Sequence, residues 1–88
     1  MTEKSAYIGR LRWRCRRGTK ELDRILGGYL EQDYPQAPLE HQRAFAALLE
    51  VQDPDIYDWL MGIHSPDKAK FKGIIALLRD KYQISSMT

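Results

Sequence analysis

Eighty-eight residues allow one domain with one modest core, because a domain this small buries only about 60% of the surface its unfolded chain exposes, which excludes a deep catalytic cavity. With 43% hydrophobic and 30% charged residues, the composition excludes both a disordered chain and a membrane-embedded one. Net charge is only +2, yet eight basic residues stand against three acidic ones through Arg24 and the remainder is net acidic, a dipolar pattern suited to a patterned protein surface at least as well as to nucleic acid.

The opening MTEKSAYIGRLRWRCRRG has no apolar run of signal-peptide length, and no stretch of the chain offers the roughly 20 apolar residues that a bilayer crossing needs. It also lacks an Arg-rich, acid-poor presequence, so the expected location is a bacterial cytoplasm. Cys15 is the single cysteine and, with His41 and His64, makes no zinc-like spacing, so a reducing compartment and no structural metal are expected. Cys15 reads as a half-buried small hydrophobe whose flanking arginines would lower its pKa.

Five helices and no strand are predicted, in one domain ordered over about 6–83. The first, from Ala6 to Arg17, spaces Tyr7, Ile8, Leu11 and Cys15 helically among Arg10, Arg12, Arg14 and Arg16. Gly18 is its natural stop, since a helix end often needs the left-handed region. The second, from Thr19 to Asp33, carries Leu22, Ile25, Leu26, Tyr29 and Leu30 on one stripe. Its Gly27-Gly28 pair costs about 2 kcal/mol relative to alanine, so either a kink or the close approach of another helix is expected there.

Pro35 and Pro38 make Tyr34 to Pro38 a connection. A third helix from Leu39 to Val51 buries Ala44, Phe45, Leu48 and Leu49. Asp53 reads as the cap of a fourth helix, with Pro54 in its first position and Asp55 at the positive end of its dipole. Ile56, Tyr57, Trp59, Leu60 and Met61 follow, and Gly62 ends it. Ser65-Pro66-Asp67 repeats the start signal for a fifth helix, striped by Phe71, Ile74, Ile75, Leu78 and Tyr82. The tail from Ile84 to Thr88 is expected to fray. Short connections between short helices make a compact bundle.

Three places could carry chemistry. The turn Arg17-Gly18-Thr19-Lys20-Glu21 can set an arginine and a carboxylate side by side as a polar hot spot. The same residues also fit a helix stop, a favourable terminal charge and a first-turn anion or reach-back cap. The segment from Glu50 to Trp59 crowds three aspartates at a helix start, although capping accounts for Asp53 and Asp55, and Trp59 suits a core as well as an interface. The arginines interleaved with Trp13 and Tyr7 resemble a nucleic-acid surface, but the acidic remainder and the lack of a known motif argue against one. No phosphate-cradling glycine loop, dinucleotide fingerprint or nucleophile-base arrangement is present, so no catalytic residue is assigned and an enzyme is not expected.

One constellation is specific. Arg10, Trp13 and Cys15, the run Arg16-Arg17-Gly18 followed by Glu21-Leu22-Asp23, then Phe45, Leu48-Leu49-Glu50, Asp53-Pro54-Asp55 and Trp59-Leu60-Met61-Gly62 together resemble the flavinylation factors of succinate dehydrogenase, small five-helix proteins marked by an RGxxE motif. The resemblance covers about Ile8 to Gly62. It implies an assembly factor that meets the flavoprotein subunit through Arg17, Gly18 and Glu21, with Arg10, Asp53 and Trp59 on the same or an adjoining face. Arg17 and Glu21 would then turn outward to the client, whose own histidine becomes bonded to FAD. It implies that FAD stays with the client, that the fumarate reductase flavoprotein is a second client, and that the factor supplies no reacting group; separately, a monomer is expected. The alternative it leaves is an antitoxin-like or regulatory binding module.

Overall fold

Apolar stripes at helical spacing fold onto one another through short connections, and the computed structural model describes the backbone over residues 3–82 and side chains from residue 8 to residue 82. Five α-helices result: α1 Glu3–Arg14, α2 Lys20–Gln32, α3 Leu39–Leu48, α4 Asp53–Met61 and α5 Ala69–Lys81, with a 3₁₀ turn at Tyr34–Gln36. Among the described residues there is no strand, and none of the helices is long and apolar enough to cross a membrane. The segment expected to fray, Ile84 to Thr88, lies outside the described residues.

Helix α1 pairs with α2, and α5 packs against both α3 and α4. Leu22, Ile25, Leu26, Tyr29 and Leu30 of α2 meet Phe45 and Leu48 of α3, Ile56 and Leu60 of α4, and Phe71, Ile74, Ile75 and Leu78 of α5 in one continuous core. Its aromatic centre is Phe45, whose ring lies 4.6 Å from Tyr29 and 5.8 Å from Tyr34 between centroids, within the range where tilted rings attract. Across the far end, Lys81 and Asp33 pair at 2.8 Å.

Several boundaries differ from the sequence expectation; among them α3 ends at Leu48 rather than Val51, because the Glu50 and Val51 amides tighten onto the Ala47 and Leu48 carbonyls three residues back. Helix α1 begins at Glu3 and ends at Arg14, three residues before Arg17, because the amides of Cys15 and Arg16 turn back to Leu11, Arg12 and Trp13 while the Arg17 amide leaves the ladder for the Asp23 carboxylate. Helix α4 has Gln52, not Asp53, at its cap. The Asp53 carboxylate is engaged elsewhere, and Pro54 consequently sits one position later than expected. Helix α5 opens at Ala69 after Lys68 rather than at Pro66, since Pro66 is buried and packs instead of starting a helix. Gly62 does end α4 in the left-handed region, at φ 79, and Thr19 caps α2 by accepting the Leu22 amide at 3.3 Å.

Helix α2 runs unbroken through Gly27 and Gly28, and it is the close approach that is found. A Cβ on Gly28 would stand 2.2 Å from the hydroxyl of Tyr82, whereas one on Gly27 would meet nothing within 4 Å. Gly27→Ala should therefore stabilise the fold by about 1 kcal/mol in urea unfolding, the helix-propensity difference alone. Gly28→Ala should lower stability instead, with a smaller loss in a Tyr82→Phe background that lacks the obstructing oxygen.

Candidate functional site

The connection between α1 and α2 folds down onto the connection between α3 and α4. Arg17 makes this junction. Its Nη1 donates to Asp53 Oδ1 at 3.1 Å and to the Val51 carbonyl at 3.3 Å, and its Nη2 donates to the Leu49 carbonyl. Those carbonyls follow α3, where a helix leaves acceptors without partners at the negative end of its dipole. With its side chain only 12% exposed, the Arg17 guanidinium points inward. This corrects the expectation that Arg17 is offered outward: three acceptors from one corner outcompete water for a planar fork of donors.

Gly18 sits on top of this junction, exposed, and its amide donates to Asp53 Oδ2 at 3.0 Å. The left-handed stop expected at Gly18 is absent, for among the described glycines only Gly62 has a positive φ. A Cβ added at Gly18 would be 3.6 Å from Asp53 Oδ2, an ordinary contact, so the fold itself makes no demand for glycine there. What Gly18 provides is bare backbone at the surface.

Glu21 stands in the first turn of α2, exposed, and among the described residues it has no ion-pair or hydrogen-bond partner within the chain. It does not reach back to Gly18, whose amide is already taken by Asp53. Arg10 is exposed on α1. Asp53, its side chain 32% exposed, lies beneath Gly18. Trp59 is not brought to this corner: six residues after Asp53 it lies about 9 Å further along α4 and on a different side, half-buried and stacked on Phe71 at 5.5 Å.

Sequence reasoning missed Asp23, whose carboxylate takes the Arg17 amide. Asp23 stood out only as part of the run Glu21-Leu22-Asp23, and the Leu49 and Val51 carbonyls had no signal at all. On the basic helix, Arg12 pairs with Glu31 at 2.9 Å and Arg16 lies 5.1 Å over the Trp13 ring, whose residue is 72% exposed. Among the described residues no three His, Cys, Asp or Glu side chains gather as a metal site.

Cys15 is buried beneath the junction, and burial pushes its thiol up to about 11, against the opposing pull of the Arg17 and Arg12 charges. The expectation of a lowered pKa is thus overturned, since desolvation of a thiolate outweighs two nearby cations. In unfolded chains the thiol ionises near 9.0, so the folded state holds its proton longer and loses stability as pH rises from 9 towards 11. Cys15 should resist a disulfide reagent at pH 8 in the folded protein and react fully in denaturant; fast labelling of the native chain would contradict its burial.

Residues 9–82 match the family described as flavinator of succinate dehydrogenase. The chain is similar to three proteins named FAD assembly factor SdhE. That from Pectobacterium atrosepticum is 38% identical over 72 residues, 82% of each chain. That from Methylococcus capsulatus is 41% identical over 71 residues, 81% of this chain and 86% of the relative. That from Coxiella burnetii is 38% identical over 77 residues, 88% of this chain and 90% of the relative. The match spans all of α2 to α5 and the junction at Arg17, and the chain accordingly belongs to the family of flavinators of succinate dehydrogenase.

Proposed function

We propose that this chain binds the flavoprotein subunit of succinate dehydrogenase and promotes covalent attachment of FAD to it, docking through the corner that presents Gly18 and Glu21. The observation that carries the reading is the family match across residues 9–82, which includes this corner. An exposed carboxylate without a partner among the described residues, beside bare backbone on a braced base, suits recognition of a basic or amide group on a larger protein. Arg10 adds exposed positive charge on the neighbouring helix. Arg17 and Asp53 support the corner from below, and Trp59 contributes to packing between α4 and α5 rather than to the corner.

The chemistry belongs to the client. FAD stays bound to the flavoprotein, the client's own histidine forms the bond, and the factor contributes no reacting group. By gripping an apoprotein with movable domains it favours the arrangement in which flavin and imidazole meet in attack geometry, a positional gain in the client's site. The factor acts as a cytoplasmic monomer, and the fumarate reductase flavoprotein is a second client. Co-expression of the apo flavoprotein with and without this chain tests the reading. In-gel fluorescence of covalent flavin should rise with the chain present, and equal fluorescence in both strains would refute it.

A further inference from the structure

We propose that Asp53 is the positioning residue of the docking corner. One of its carboxylate oxygens accepts from the Arg17 guanidinium and the other from the Gly18 amide. The single side chain thereby ties two consecutive residues of the α1–α2 connection to the first turn of α4. Helix α2 starts immediately afterwards with Thr19 as cap, so fixing Gly18 also fixes where the first turn of α2 holds Glu21. The helix dipole of α4 favours the carboxylate charge at this place, and both oxygens are oriented by donors from within the chain. Asp53 thus acts on the client through Gly18 and Glu21 rather than by touching it.

This role rests on the docking reading above, and two measurements keep the two separable. In the free chain, Asp53→Ala should speed hydrogen exchange of the Gly18 amide about tenfold, the loss of one charge-assisted hydrogen bond, while amides of α5 keep their protection. For binding, the same substitution should weaken affinity for the apo flavoprotein about tenfold. Combined with Glu21→Ala it should add less than its loss in the wild-type background, because only Gly18 is then left for Asp53 to position. Asp53→Asn retains an acceptor for Gly18 but no charge for Arg17 and should be intermediate in both readouts, which covers the case in which the alanine variant fails to fold.

Unchanged Gly18 exchange in the variant overturns the positioning role alone. Fully additive losses with Glu21→Ala also overturn it, since Asp53 would then contact the client itself. A wild-type chain that does not bind the apo flavoprotein brings down the docking reading and the positioning role together.

Discussion

Arg17→Met is expected to lower the unfolding free energy by about 3 kcal/mol. Methionine retains the apolar stem but strands the Leu49 and Val51 carbonyls without their donor and leaves Asp53 without its cation in a partly buried place. For a domain whose total stability is about 5–15 kcal/mol this is a large fraction. Arg17→Lys should recover only part of the loss, because one ammonium cannot span acceptors that a planar guanidinium reaches simultaneously. Urea unfolding followed by circular dichroism measures both. A midpoint unchanged in Arg17→Met would mean that the guanidinium is free in solution, contrary to the junction described.

The opposite profile is expected one and four residues later. Glu21→Ala and Gly18→Arg should each change stability by no more than about 0.5 kcal/mol, as for surface sites, and yet reduce covalent flavin on a co-expressed flavoprotein at least tenfold, the size of an interface hot spot. Among the described residues Glu21 has no partner to lose. Gly18 has room for a Cβ and an unstrained φ, so an arginine there leaves the fold intact while its side chain stands across the face offered to the client. Full flavinylation by both variants would rule out the corner as the docking surface, and loss of fold in either would reassign it to internal structure.

The helices were legible because their stripes are. Leu22 through Leu30 and Phe71 through Leu78 repeat at helical spacing, and both runs are buried in the core. Turn chemistry carried Gly62, whose role depends only on near neighbours. Where the reading failed, distant partners decided the outcome. The end of α1 depends on Asp23, the cap of α4 on Arg17 and Gly18, and the start of α5 on the burial of Pro66. The site divides in the same way. Family resemblance picked out Arg17, Gly18 and Glu21 as a group, but adjacency in sequence could not tell a guanidinium turned into the bundle from a carboxylate left facing water.

The junction spans 32 residues of chain from Arg17 to Leu49 and 36 to Asp53, whereas helices close their bonds within one turn. Bringing such remote points together requires the intervening α2 and α3 to be in place, since closure of a long segment is entropically opposed until other packing shares the cost. The clasp is therefore expected to form late in folding. Weakening it should leave the refolding rate almost untouched and accelerate escape from the native state, so that Arg17 governs how long the folded factor persists more than how fast it forms.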